Sequence, residues 1–151
     1  MTSTTTSSIS QGRVAARKLL WVGPLTIIAA ALANLVVRTI AVAFFDVPDG
    51  FTYLQAPFVI ISTVIFLGLA FVAFVMVGRF ARHPVRVYRI VALVGLVVSF
   101  LNPVLALAGL FPAPGMNLYI FWTMIVMHCV AAIITVSLLT TQAVEPSRRN
   151  S

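Results

Sequence analysis

Five polar side chains interrupt the long apolar stretches of this sequence and are its main candidates for chemistry: Asn34, Arg38, Ser99, Asn102 and His128. An ionisable residue surrounded by apolar sequence is costly to bury in a membrane and often marks a functional site. Arg38 would supply the charge of a cavity that binds a small polar or anionic ligand. Alternatively, the five side chains form structural interhelical hydrogen bonds, each of which contributes about 0.5–2 kcal/mol.

No catalytic or metal-binding pattern accompanies these residues. The sequence contains no Gly-rich phosphate loop, HExxH motif or GxSxG motif. Its acidic residues, Asp46, Asp49 and Glu145, lie at the ends of the apolar stretches or between them. A serine inside a stretch therefore has no acidic partner at its own depth. The second histidine, His83, lies in the loop between the second and third stretches and so at a different depth from His128, and one histidine alone cannot hold a metal that needs three or four ligands. We therefore predict a non-enzymatic protein with no metal and no other cofactor.

Four long apolar stretches must position the polar side chains. The chain has 151 residues, of which 61% are hydrophobic and 9% charged, and its mean hydropathy is +1.09. Soluble domains, by comparison, are roughly 45–50% apolar and about 25% charged. The stretches at about 20–45, 57–77, 89–110 and 118–140 can each cross a bilayer, and they do not alternate as barrel strands do. We therefore predict an all-α polytopic membrane protein with one domain, residues 19–141, that forms a four-transmembrane-helix bundle.

The distribution of charge predicts the orientation of this bundle. Every basic residue except Arg38 lies before the first stretch, between the second stretch and the first residue of the third, Arg89, or after the fourth. The two remaining loops contain no lysine or arginine, and the first of them contains Asp46 and Asp49. Because basic segments stay on the cytoplasmic side, both termini are predicted to be cytoplasmic. They would form a disordered, basic N-terminal tail (residues 1–18) and a C-terminal tail (residues 142–151).

The basic loop between the second and third stretches has a predicted role of its own. It carries four arginines: Arg79, Arg82, Arg86 and Arg89. Such residues fix membrane topology and attract anionic lipid headgroups. The formal net charge of +7 flanks helices and has no base-reading elements beside it. It therefore predicts contact with the bilayer and its anionic lipids, and no contact with nucleic acid.

Spacing and depth place the polar residues at one level of the bilayer. Small and polar residues recur along the third stretch at helical intervals: Ala92, Gly95, Ser99, Asn102, Ala106 and Gly109. This composition favours close helix contact and predicts the inward face of that helix. At about 1.5 Å per residue, Arg38 lies about 12 Å below Asp46, and His128 about 16 Å below Asn117. The five candidate side chains are therefore expected to meet in the outer half of the bundle.

Three segments of the chain, taken in order, resemble a known protein family. They are "ARHPVRVYRIVALVGLVVSFLNP" (residues 81–103), the polar first span with Asn34, and "MHCVAA" (residues 127–132). Together they resemble a family of small, uncharacterised four-span membrane proteins common in actinobacteria, and the resemblance covers about residues 17–141. It implies a four-span fold in a bacterial plasma membrane, and it implies neither a reaction nor a catalytic residue.

Three functions are compatible with these observations. The leading one is a non-enzymatic integral membrane protein whose polar cluster is structural or binds a small ligand. The second is a minimal transporter or channel that works as an oligomer, because four helices alone seldom enclose a conduit. The third is an accessory subunit of a larger membrane complex. The expected partners are accordingly the lipid bilayer and either further copies of the chain or other membrane subunits.

Overall fold

The chain folds as a bundle of long helices. The computed structural model describes residues 13–14, 16–142 and 144–145, and the predictions for the rest of both tails lie outside these residues. The helices are α1, Ala16–Phe44; α2, Ala56–Phe80; α3, Pro84–Ser99; α4, Leu101–Leu107; and α5, Leu118–Gln142. Four segments are long and apolar enough to cross a membrane: Lys18–Phe44, Ala56–Phe80, Pro84–Leu107 and Leu118–Gln142. The predicted all-α, four-span membrane architecture is therefore confirmed.

The two ends of the bundle differ in charge. Two short strands, β1 (Arg13–Val14) and β2 (Val144–Glu145), pair antiparallel at the end that also holds the α2–α3 loop. We call this the basic end. The opposite end consists of residues 45–55 and 108–117, and its charged residues are Asp46 and Asp49, so we call it the acidic end. β1 precedes the first of the four segments and β2 follows the last, so the first and the last described residues lie at the same end of the bundle.

The basic loop is shorter than the sequence predicts. Only residues 81–83 separate α2 from α3, because α2 continues to Phe80 and α3 begins at Pro84. Proline is a favourable first residue of a helix, where its missing N–H would have no helical partner. Arg79, Arg86 and Arg89 therefore lie on helix ends, from which their long stems can extend to the headgroup region. The two helices thus extend beyond the approximate span boundaries, residues 77 and 89, that the sequence predicts.

The third span is interrupted near its middle. α3 ends at Ser99, and α4 begins at Leu101 and ends at Leu107, before the predicted end at residue 110. Pro103 accounts for the interruption, because it has no N–H and its ring would collide with the carbonyl of the preceding turn. Pro103 is itself buried, so the break lies on the side of the helix that packs against the bundle.

Gly109 ends this span and does not serve as a helix contact. Its N–H donates to the carbonyl oxygen of Ala106 at 3.2 Å, and the N–H of Leu110 donates to that of Leu105 at 2.9 Å. Gly109 has a φ of +73°, which glycine adopts at little cost. These are the hydrogen bonds of a Schellman motif, in which a glycine just past the helix satisfies its last carbonyls.

α5 is the centre of the bundle. It contacts α1, α2, α3 and α4. Of the 18 residues that form its most apolar segment, 33% are buried, compared with 11% for the third span. The core consists of three clusters, from the basic end to the acidic end: Val22, Phe74, Tyr88 and Leu139; Ala30, Leu67 and Ala131; and Phe51, Leu54, Val59, Ile120, Met124 and Met127. The alanines of the middle cluster allow α1 and α5 to approach closely.

The predicted inward face of the third span is wrong for several of its members. Gly95 and Asn102 are exposed, and a Cβ added at Gly95 would meet nothing within 4 Å. The span packs instead through Ala106 and through Tyr88, whose ring lies edge-on to that of Phe74 with the centroids 4.8 Å apart. Because both sides of a transmembrane helix can be apolar, small residues alone do not identify the packed side.

Candidate functional site

Arg38 joins α1 to the first loop of the acidic end. Its side chain is half-buried, and its Nε donates a hydrogen bond to the carbonyl oxygen of Leu54 at 2.7 Å. Leu54 ends the 3₁₀ helix Thr52–Leu54 and is only 1% exposed. A hydrogen bond from a charged donor contributes about 1.5–3 kcal/mol. Arg38 therefore holds the loop against the bundle, and a backbone acceptor of this kind leaves no signal in the sequence.

The terminal N–H groups of Arg38 form no hydrogen bond to the residues that the structure describes. Within the described residues, Arg38 forms no ion pair with Asp46 or Asp49 and no hydrogen bond to any other member of the predicted cluster. Neither the two aspartates nor the other polar residues of the predicted cluster therefore pair with its charge in the described structure. A guanidinium presents its remaining donors as a planar fork that matches a carboxylate or a phosphate. Arg38 thus has an unfilled capacity to bind an anionic group.

Asn34 forms a separate polar contact one helical turn before Arg38. It is buried, and its Nδ2 donates to Oγ1 of Thr63 at 3.1 Å, which links α1 to α2. Its Oδ1 is buried without a hydrogen-bond partner among the described residues. Thr63 was not among the predicted site residues. Thr63 is polar within the second apolar stretch, but so is the neighbouring Ser62, and the sequence does not show which of the two faces α1.

The remaining members of the predicted cluster bind their own helices or face outward. Ser99 donates from Oγ to the carbonyl oxygen of Leu96 at 2.7 Å, and Nδ1 of His128 lies 2.6 Å from the carbonyl oxygen of Met124. Asn102 is exposed. The five residues therefore do not assemble into one hydrogen-bonded cluster in this part of the chain. A polar side chain in a helix can reach a carbonyl of the preceding turn, which removes its need for a partner on another helix.

Side-chain contacts between the two loops fix the acidic end around Arg38. The hydroxyl of Tyr53 donates to the carbonyl oxygen of Pro112 at 3.2 Å. Asn117 accepts a hydrogen bond from the backbone N–H of Ile120 at 2.9 Å and donates to the carbonyl oxygen of Asp46 at 3.4 Å. Asn117 thereby caps the first turn of α5 and ties it to the first loop. None of these contacts was predicted from the sequence.

The arginines of the basic end are exposed as expected for residues that contact headgroups. Arg79 lies in the last turn of α2, Arg82 in the loop, and Arg86 and Arg89 near the start of α3. Their role in topology and lipid binding stays a prediction. Among the described residues, no group of three or more His, Cys, Asp and Glu side chains is arranged to hold a metal ion.

Comparison with known proteins identifies the family of the chain but not its activity. No curated protein matches the sequence significantly, and no solved structure does. The chain does match the model of a family of unknown function, DUF6069, over residues 14–145. The match includes all four membrane-spanning segments, in agreement with the resemblance predicted for about residues 17–141. The chain therefore belongs to the DUF6069 family of unknown function.

Proposed function

We propose that this chain is a non-enzymatic protein of a bacterial plasma membrane that binds a small anionic ligand through Arg38. The observation that supports this function is the half-buried guanidinium, which is bonded to the carbonyl oxygen of Leu54 and has no carboxylate partner in the described part of the chain. The ligand would present a carboxylate or phosphate group, because these groups accept two parallel hydrogen bonds from arginine.

The position of Arg38 in α1 explains why an anion would be held. Arg38 precedes the last residue of α1, Phe44, by about 9 Å along the helix axis. An arginine within the apolar region costs up to about 2.5–3.5 kcal/mol, depending on its depth. The hydrogen bond to Leu54 offsets part of this cost, and an anion would offset the charge itself. Ligand binding should therefore stabilise the folded bundle.

The orientation of the bundle determines the side from which the ligand arrives. Basic segments remain in the cytoplasm, so the basic end would face inward, with Arg79, Arg82, Arg86 and Arg89 near anionic lipid headgroups. The acidic end would then face the exterior, and Arg38 would take its ligand from the outer leaflet or from the external solution.

Thermal unfolding of the full chain in maltoside detergent tests the proposal. Phosphate, acetate and phosphatidylglycerol serve as probes, because they carry the expected acceptor groups on different scaffolds. At least one should stabilise the wild type, by about 2.7 kcal/mol if its concentration reaches 100 times the dissociation constant. Arg38→Gln should abolish this stabilisation, and Arg38→Lys should reduce it because lysine lacks the planar fork.

A matched control separates this function from a purely structural one. Arg82→Gln removes an exposed arginine at the opposite end and should leave the ligand response unchanged. If Arg38 is only structural, Arg38→Gln lowers the stability while none of the anions stabilises the wild type. That combination of results would contradict the proposal and leave the hydrogen bond to Leu54 as the role of Arg38.

A second candidate function, assembly in the membrane, is supported by Asn102. This amide is exposed on a span that has lipid-facing neighbours, and a polar side chain in hydrocarbon favours a partner on another helix. Two copies of an amide can satisfy each other, since each carries both donors and an acceptor. Counting of labelled subunits in bilayers tests this. Asn102→Leu should shift oligomers toward monomers, whereas Val104→Leu, on the same span, should not.

A further inference from the structure

A cleft between the two loops of the acidic end is not used by the function proposed above. It has a volume of about 210 Å³ and is lined by Gly50, Phe51, Thr52, Tyr53, Phe58, Pro112, Ala113 and Pro114. The lining consists mainly of aromatic rings, proline rings and loop backbone. No lysine, arginine or histidine contributes to it. The cleft therefore offers π faces and apolar contact without a positive charge.

The aromatic walls of the cleft are held in place before any ligand arrives. Tyr53 is fixed by the hydrogen bond from its hydroxyl to the carbonyl oxygen of Pro112 in the other loop. Its ring is perpendicular to that of Phe58, at 89° with the centroids 5.0 Å apart, and is inclined at 60° to the ring of Phe51. Rings at these angles present their π faces in more than one direction. Such preorganisation lowers the entropic cost of binding.

The charge around the cleft favours a cation. Asp49 directly precedes the lining residue Gly50, so the two Cα atoms are about 3.8 Å apart. Asp46 lies in the same loop, and both aspartates are exposed. The loops at residues 45–55 and 108–117 contain no lysine or arginine, and the one arginine bonded to them in the described structure, Arg38 of α1, is opposed by two aspartates, which leaves this end with a net negative charge. Exposed aspartates in a loop that lines the cleft, together with ring faces in its wall, favour a positively charged ligand.

We infer that this cleft binds a quaternary ammonium group of the trimethylammonium type. Such a group has a positive charge, a large apolar surface and no N–H donors that would need acceptors. The cleft matches each of these properties, because its walls are mainly apolar and the hydroxyl of Tyr53 is already bonded to Pro112. Choline in solution and the headgroup of a choline lipid carry the same group, and either would fit this chemistry.

Titration with choline and with its neutral isostere tests the inference. The isostere carries a tert-butyl group in place of trimethylammonium, so it has the same shape without the charge. The full chain is kept in maltoside micelles, which contain no ammonium headgroups, and binding is measured by calorimetry. Choline should bind about 3- to 30-fold more tightly than the isostere, which is the range of cation–π contributions. Equal affinities, or no binding of choline, would overturn the inference.

Variants of the lining locate the binding. Phe58→Leu and Tyr53→Leu should each weaken choline binding by about 3-fold or more, because each removes a ring face. Tyr119→Leu is the matched control, since Tyr119 stacks on Phe45 at the same end and does not line the cleft. If Tyr53→Leu does not fold, Phe58→Leu decides the question, because it removes no hydrogen bond. An equal loss in the control would contradict the assignment.

Charge variants and lipid composition complete the test. Asp49→Asn should weaken choline binding and leave the neutral isostere unaffected. Phosphate and acetate should not compete with choline, because they would bind Arg38 and not the lining of the cleft, so failure here is distinguishable from failure of the anion site. In nanodiscs, a choline lipid should block the titration if the headgroup occupies the cleft. If choline binds equally well in nanodiscs of the choline lipid and in nanodiscs of phosphatidylglycerol, the site is one for free ammonium compounds. Loss of the choline response with both lipids would refute the inference.

Discussion

Gly23 is the position where a neighbouring helix leaves no space for a side chain. An ideal Cβ on Gly23 of α1 would lie 2.7 Å from Cε2 of Phe71 on α2 and 3.0 Å from its Cδ2 and Cζ. Ordinary van der Waals contact begins at 3.4 Å, so the ring would have to move by 3.4 − 2.7 = 0.7 Å. Phe71 packs against the core cluster at the basic end, which limits this movement.

The predicted effect of Gly23→Ala is a net loss of stability relative to the same change at Gly95. Both positions are helical, so the replacement of glycine by alanine contributes about 1 kcal/mol of helix propensity at Gly95. It contributes less at Gly23, because Pro24 follows and disfavours a helical residue with a Cβ before it. A Cβ at Gly95 meets nothing within 4 Å, whereas at Gly23 it overpacks the contact with Phe71. Overpacking costs about 1–3 kcal/mol, which is therefore the expected difference between the two variants.

Thermal unfolding in maltoside detergent, followed by circular dichroism, measures this difference. A change of 1 kcal/mol shifts Tm by roughly 2–4 °C in a chain of this size, so Gly23→Ala should melt about 2–12 °C below Gly95→Ala. Adding Phe71→Leu to Gly23→Ala should recover part of the loss, since the two residues are in contact and their effects are coupled. Equal melting temperatures for the two glycine variants would refute this account of the α1–α2 contact.

Three further predictions concern caps, the buried amide and orientation. Asn117→Ala should lower stability by about 1 kcal/mol because α5 loses its cap, and thermal unfolding should show no such loss for Asn102→Ala at an exposed position. Thr63→Val should lower the free energy of unfolding by about 1–3 kcal/mol, because it leaves the whole amide of Asn34 unpaired. Asn34→Leu should lower it by less in the same assay, because it removes both the N–H₂ and the carbonyl of that amide. Reporter fusions at Arg82 should give a cytoplasmic signal and those at Ala113 an exterior one; the reverse pattern would contradict the charge-based orientation.

The sequence predicted individual residues of the site but did not predict the contacts that they make. Arg38 and Asn34 stand out because they are polar within an apolar stretch, and both lie at structurally important positions of α1. The predicted meeting of Asn102 and His128 with them failed for a physical reason. Depth along a helix follows from the rise per residue, but the direction of a side chain around the axis depends on how the helix is packed.

Helix breaks were only partly visible in the sequence. Pro84 and Pro103 were present in the sequence, but the predicted third span runs through Pro103 and begins after Pro84. The structure places a helix start at the first and an interruption before the second. A proline tolerates either position, because it lacks an N–H and has a fixed φ in both. The sequence shows that a proline lacks an N–H, but whether it begins a helix or interrupts one depends on the packing of the neighbouring turns.

The sequence by itself determined the class and the number of spans. In hydrocarbon every backbone group must be bonded within the chain, so four long apolar stretches without alternation leave helices as the solution. Tertiary structure alone decided which faces pack, which polar groups meet and where clefts form. The contact of Arg38 with Leu54, that of Asn34 with Thr63 and the closeness of Gly23 to Phe71 all join separate elements. Lipid and protein interior are similarly apolar, so the order of residues carries little information about which of them a given face of a helix will contact.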